Sequence, residues 1–276
     1  MIQIAAVSRA TGRLPLELKV LQFPGGEMHV TVELGAPADE LRVRAHLTDS
    51  AAVMTLLMVT DALRRGCPGT PISLDMPYVP YARQDRAANA GEALGARVFC
   101  DLINAQGYTQ VVVQDPHSDV VPALLDRVVI EDPLPALRSA LERIRALTDE
   151  SVALVAPDAG ARKRVLKLAT ALGTDVVYSD KVRDTRTGAI TRTEVQGELP
   201  ARALLVVDDI CDGGRTFTEL AAALKLKQEA QGLAKPLFLY VTHGIFSKGL
   251  DPLLAHYDTV FTRNNWTSDS RCCVLA

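Results

Sequence analysis

The densest chemistry in the chain lies in Leu204-Leu205-Val206-Val207-Asp208-Asp209-Ile210-Cys211-Asp212-Gly213-Gly214-Arg215-Thr216. An apolar run that reads as a buried strand leads into two adjacent acids, a third acid, two glycines and a threonine able to open a helix. Glycines let backbone N–H groups approach an anion, and a helix N-terminus adds favourable partial charge. Carboxylates repel phosphate but suit sugar hydroxyls, or a metal that a phosphate carries. The run therefore asks for a ligand bearing both hydroxyls and phosphate. Its plainer reading is an acidic helix cap after a strand.

Three further groups are candidates, and each has a bland alternative. Arg83-Gln84-Asp85-Arg86 is, by itself, more often a solvated turn than an anion site. Lys181 and Arg183, taken alone, form a surface pair. His117 and Asp158 each follow an apolar run, at residues 111–114 and 152–156, which places both at strand ends; the bland reading of His117 is a loop histidine hydrogen-bonded locally.

The elements that must position these residues alternate between β-rich and helical runs. Strands are expected over residues 2–7, 18–21, 28–34, 43–47, 72–76, 111–114 and 127–130. A helix capped by Asp49 or Ser50 should run to Arg65 and stop at Gly66 and Pro68, and another is expected over 92–106 before Gly107. In the second half, helices are expected over 134–147, 162–172 (closed by Gly173) and 216–231 (closed by Gly232). Strands are expected there over 152–156, 176–178, 203–207, 237–242 and 259–262. Strands separated by helices imply βαβ units and parallel sheets covered on both faces. The expected fold is α/β, two doubly wound parallel-sheet domains, residues 1–133 and 134–276. Ligands of such sheets sit beyond the carboxyl ends of the strands, where the polar junctions above fall.

Composition excludes classes without choosing a function. The 276 residues carry 30 Lys+Arg against 33 Asp+Glu, a net charge of −3. With pI near 6.0, the surface as a whole is not built for nucleic acid or anionic membrane. The longest apolar stretch, residues 51–59, is interrupted by Thr55 and is far short of the roughly 18 residues of a membrane helix. The first residues do not read as a signal peptide, and the five cysteines contain no C-x-x-C pair, so a reducing cytoplasm is expected. Cys273-Val274-Leu275-Ala276 matches a C-a-a-X box but lacks a basic cluster upstream, and it reads as an ordinary mobile tail.

The 204–216 segment resembles the phosphoribosyl-diphosphate loop of type I phosphoribosyltransferases. Further motifs occur in the order seen in ribose-phosphate diphosphokinases. They are Phe23-Pro24-Gly25-Gly26-Glu27, the 77–86 run ending Arg83-Gln84-Asp85-Arg86, Asp115-Pro116-His117-Ser118, Ala156-Pro157-Asp158-Ala159-Gly160, Asp180-Lys181-Val182-Arg183 and Thr242-His243-Gly244-Ile245-Phe246-Ser247. The likeness covers nearly the whole chain, from about residue 20 to about residue 265. It implies two phosphoribosyltransferase-like domains related by pseudo-symmetry. It also implies transfer of the β,γ-diphosphoryl group of Mg-ATP to the anomeric hydroxyl of ribose 5-phosphate, releasing AMP.

By the same resemblance, Phe23, Glu27, Arg83, Gln84, Asp85 and His117 bind ATP. Asp208, Asp209, Asp212, Gly213, Gly214, Arg215 and Thr216 bind the sugar phosphate. Lys181 and Arg183 are catalytic on a mobile hairpin with a turn at Thr187-Gly188, and His117 and Asp158 stand at Mg²⁺-associated positions. The segment holding Phe23 and Glu27 reaches a neighbouring subunit in the family, so a homo-oligomer, dimer or hexamer, is expected.

Three departures from the family pattern bear on the acceptor. Gly25 replaces a polar or acidic residue, Arg215 replaces a glycine of the sugar-phosphate loop, and residues 87–92 lack the family's extra basic groups. The chain also ends before the family's usual last strand and helix. An alternative acceptor is ADP-ribose, as in relatives that serve NAD synthesis. A non-catalytic regulatory partner is a further alternative, disfavoured because the whole catalytic set is present.

Overall fold

The computed structural model describes residues 1–35, 37–183 and 190–275, with backbone alone for 181–183 and 190–192. The chain divides into two units, Met1–Asp132 and Pro133–Ala276. No helix among the described residues is long and apolar enough to cross a membrane.

In chain order the first unit contains β1 (Ile2–Ser8), β2 (Gly12–Leu16), β3 (Leu18–Gln22), β4 (Met28–Val32), β5 (Glu40–Ala45), α1 (Ser50–Gly66) and β6 (Ile72–Asp75). Then follow α2 (Gly95–Ala105), β7 (Gln110–Gln114), α3 (Val120–Leu124) and β8 (Val128–Glu131). Six strands form one sheet in the order β2-β1-β5-β6-β7-β8, while β3 and β4 form a separate hairpin. From β5 to β8 all pairs are parallel, but β1 runs antiparallel to both β2 and β5. The sheet is thus mixed rather than wholly parallel. A short connection through Gly12, at φ 73°, returns the chain beside β1, and a short return can only make an antiparallel pair.

The alternation of β5 explains how this sheet is covered. Leu41, Val43 and Ala45 point into a core shared with Leu56, Val59 and Leu63 of α1, whereas Glu40, Arg42 and Arg44 face the other way. That second face is knitted by polar contacts, Ser73 Oγ donating to Glu40 at 2.6 Å and Arg44 pairing with Asp75 at 3.1 Å. Helix α1 begins as expected: Asp49 caps it by accepting from the Ala52 amide at 2.8 Å, a contact worth about 1 kcal/mol. Helix α2 starts three residues later than expected. Glu92 instead holds the preceding turn, accepting from the Ala88 and Asn89 amides at 2.8 and 3.1 Å.

The second unit contains α4 (Leu134–Thr148), β9 (Val152–Ala156), α5 (Arg162–Leu172), β10 (Val176–Arg183), β11 (Ile190–Val195), β12 (Ala203–Cys211) and α6 (Arg215–Ala230). It closes with β13 (Leu237–Gly244), α7 (Asp251–Leu254), β14 (Thr259–Asn265) and β15 (Cys273–Val274). The sheet order is β11-β10-β9-β12-β13-β14-β15, parallel except for the antiparallel β10–β11 hairpin.

Here both faces are apolar, and the sequence shows why. Along β12, Leu204 and Val206 enter a core with Phe217, Leu220 and Leu224 of α6, while Leu205 and Val207 enter a second core with residues of α4 and α5. A strand buried on both faces reads as an unbroken apolar run. The chain's last described residues are not a loose tail. Cys273 and Val274 pair with Phe261 and Thr262, and Leu275 is buried.

Candidate active site

In the second unit, β9 and β12 lie side by side but lead in opposite directions. The chain leaves β9 through α5 towards β10, and leaves β12 through α6 towards β13. At such a switch point the loops beyond the strands part and leave a crevice. The loop after β9 carries Asp158, and the end of β12 carries Asp208, Asp209 and Asp212.

The acids lie deeper than the sequence suggested. Strand β12 does not end at Val207; it continues through Cys211, paired with β13 as Asp208↔Val241, Ile210↔His243 and Cys211↔Gly244. Pairing with β9 stops earlier, at Val206↔Val155, so the acids stand where β12 outruns its neighbour. Asp209 is only 4% exposed. Burial, reinforced by the charge of Asp209 alongside, holds the Asp208 carboxyl well above the usual carboxylate range, and the Arg164 guanidinium opposes that shift.

Arg164, on the first turns of α5, was not among the candidates. Its Nη1 donates to Asp208 Oδ1 and to Asp209 Oδ1, both at 3.0 Å. In sequence it sits in a run, Arg162-Lys163-Arg164, that looks like the solvated face of a helix. Nothing short of the fold could show that its head reaches across to β12. Asp158 shapes the start of the same helix, its Oδ1 accepting from the Gly160 and Ala161 amides at 3.0 and 3.2 Å. Arg162 reaches the hairpin, donating to Asp180 at 2.6 Å with its guanidinium over the Tyr178 ring.

Gly214 takes a left-handed conformation at φ 77° and forms the N-cap of α6, which has no side-chain cap. Arg215 is the first helical residue, and its side chain pairs with Glu219 at 2.6 Å, 83% exposed. The loop is tied to the one after β13: Ser247 Oγ donates to Asp212 Oδ1 at 2.7 Å, and the Ile245 and Phe246 amides donate to the Cys211 carbonyl. That tie requires Gly244, because a Cβ there would stand 2.1 Å from the buried Phe246 ring. A Cβ on Gly213 would meet the Lys248 stem at 3.8 Å, which adds a second cation, unremarked in sequence, beside the glycine loop.

Lys181 and Arg183 lie on β10, in register with Thr193 and Ile190 of β11. Their side chains, and the Thr187-Gly188 turn, lie outside the described residues.

In the first unit the polar junctions also gather at strand ends. The loop after β6 holds exposed Arg83 and Gln84 and half-buried Asp85; the adjacent loop after β7 holds half-buried His117. The two are joined where the Gln114 amide donates to the Pro77 carbonyl at 3.0 Å. Tyr81, at φ 62°, turns the chain left-handed just before Arg83, and its ring lies tilted by 39° against that of Phe99. Phe23 and Glu27 close the separate β3–β4 hairpin, the Phe23 amide donating to the Glu27 carbonyl at 2.8 Å, with the Phe23 ring 45% exposed.

A largely parallel sheet with an acidic strand end, a glycine-capped helix at the switch point and a hairpin on the neighbouring strand defines a phosphoribosyltransferase-like protein. Comparison with known proteins narrows that class. The solved phosphoribosylpyrophosphate synthetase of Mycobacterium smegmatis superposes with a TM-score of 0.77 at 24% identity, over 90% of this chain and 80% of that one. Residues 4–107 match the profile described as the N-terminal domain of ribose phosphate pyrophosphokinase. The ribose-phosphate pyrophosphokinase of Granulibacter bethesdensis is 30% identical over 249 residues, 89% of this chain and 78% of that protein. That of Bacillus subtilis is 29% identical, over 83% of this chain and 70% of that protein. The chain belongs to the ribose-phosphate pyrophosphokinase family.

Proposed function

We propose that the protein transfers the β,γ-diphosphoryl group of ATP to the anomeric hydroxyl of ribose 5-phosphate, giving phosphoribosyl diphosphate and AMP. The observation that carries this reading is the Asp208–Asp209 pair at the open end of β12, directly before a glycine-capped helix. Carboxylates there can accept from sugar hydroxyls while the N-terminus of α6 and Thr216 take the sugar's phosphate. Asp212 braces the loop through Ser247.

The sugar oxygen attacks the β-phosphorus and AMP leaves, so negative charge moves onto phosphate oxygens. The protein's task is positioning and cationic stabilisation rather than covalent catalysis. Lys181 and Arg183 are assigned to the diphosphoryl group in flight. Arg83, Gln84, Asp85 and His117 are assigned to ATP, with Phe23 and Glu27 serving the ATP site of a second copy in a homo-oligomer. The protein is read as cytoplasmic.

Mg²⁺ is the expected metal. Among the described residues no group of three or more metal-ligating side chains stands ready for an ion. Mg²⁺ is usually bound by one or two carboxylates together with substrate phosphates and its own waters. Asp158, whose Oδ1 is already committed to its own turn, would contribute to its shell, and His117 would act in the outer shell or on the nucleotide phosphates. The ion would neutralise phosphate charge.

A second acceptor, ADP-ribose, is favoured by two cations flanking the glycine loop: Arg215, and Lys248 beside Gly213. Both suit an acceptor with a diphosphate. Incubation with Mg-ATP and either sugar, following AMP release, separates the two. Ribose 5-phosphate is expected to support turnover, and Lys181→Ala to reduce it by about a hundredfold or more with unchanged melting temperature. Turnover with ADP-ribose alone would reassign the acceptor.

A further inference from the structure

The first turns of α5 face three parts of the second unit at once. Asp158 holds the turn that leads into the helix, Arg162 holds Asp180 at the root of the β10–β11 hairpin, and Arg164 holds Asp208 and Asp209. We propose that Arg164 is a positioning residue for the acceptor: its Nη1 bridges the two aspartates and fixes the carboxylates in the orientation that receives the sugar hydroxyls. The inference rests on the reading of that acidic pair as the sugar site.

Several observations support a positioning role over a generic ion pair. Two adjacent carboxylates repel each other, and without a shared cation they would rotate apart or gain a proton. Arg164 Nη1 meets Oδ1 of Asp208 and Oδ1 of Asp209 at equal distances of 3.0 Å. The contact turns both Oδ1 atoms towards α5, and so sets where each Oδ2 lies. The backbone joins in, for the Asp209 amide donates to Asp208 Oδ1 at 3.0 Å, so that oxygen is fixed from two sides. The pair and the cation are also mostly withdrawn from solvent, with side-chain exposures of 20% for Arg164, 16% for Asp208 and 5% for Asp209. An ion pair so placed is screened little by salt and held by few rotamers. Displacing these acceptors by even an ångström is costly where sugar hydroxyls must meet them.

A lysine ammonium, as a point charge, can supply the same bridge, which gives the proposal a sharp test. Steady-state kinetics of the full chain would be measured with ribose 5-phosphate and ATP varied in turn, for Arg164→Met, Arg164→Lys and Asp208→Asn. For Arg164→Met, KM for ribose 5-phosphate should rise by about tenfold or more while KM for ATP stays within about threefold. Arg164→Lys should bring the sugar KM back to within about threefold of the parent.

A sugar KM unchanged in Arg164→Met but raised in Asp208→Asn would overturn the positioning role and leave the sugar site standing. A sugar KM unchanged in Asp208→Asn would instead remove the sugar from this acidic pair. If Arg164→Met fails to fold, Arg164→Lys decides: equal rises in both KM values, or a fall in melting temperature that matches the loss of activity, would make the contact purely structural.

Discussion

Asp208 illustrates how a single residue carries conflicting demands. Burial and the neighbouring Asp209 push its proton affinity up, while Arg164 pulls it down without cancelling the rise. Between the ordinary carboxylate value and the raised native one, the folded chain holds a proton that the unfolded chain releases. Stability therefore declines as pH rises through that window, and the penalty persists above it. Asp208→Asn removes the penalty. Its melting temperature should exceed the parent's at pH 8, and the gap should close as pH falls into the ordinary carboxylate range. Calorimetry across that range checks the sign; a gap that widens on acidification would contradict it. The same variant should bind ribose 5-phosphate worse, which is the usual exchange of stability for function at a site of like charges.

At the scale of elements, the loops after β12 and β13 behave as one unit. The Ile245 and Phe246 amides both donate to the Cys211 carbonyl, and Phe246, left-handed at φ 50°, folds its ring back onto Gly244. Gly244→Ala would put a methyl group 2.1 Å from that ring, which is 3% exposed and has nowhere to go without opening the core. A loss of about 1–3 kcal/mol is expected, with the sugar KM rising because Ser247 would release Asp212. Denaturant titration beside kinetics tests both halves, and an unchanged midpoint would refute the packing argument.

These elements also show what was legible in advance. The runs at residues 152–156, 203–207 and 237–242 announced buried parallel strands, and Gly173 announced a helix end. Strand β2 was not foreseen, because Gly12 and Pro15 read as turn residues. The continuation of β12 through Asp208 and Asp209 was hidden by polarity: acids normally mark a strand's end, and only pairing with β13 keeps them in it. Arg164 was invisible for a related reason, since a cation on a helix is ordinarily solvated and its partners lie over forty residues away.

Across the whole molecule the two units are built to different degrees of burial, and this should be visible in amide exchange. The second unit's sheet has an apolar core on each face, and all eight residues of β13 are buried. The first unit's sheet has one apolar core and a polar second face, and its β3–β4 hairpin is largely exposed along β3. Local opening is cheapest where backbone hydrogen bonds face solvent with few apolar contacts. Hydrogen–deuterium exchange followed by mass spectrometry should therefore show the hairpin and β2 labelling first, with β9, β12 and β13 last. Asp208 and Asp209 lie within the slow group, so their amides should be protected in the absence of any ligand. A sugar site assembled only on binding would label early at residues 208–212 and slow when ribose 5-phosphate is added. A preformed site, braced by Arg164 and Ser247, should show slow labelling at 208 and 209 both with and without the sugar.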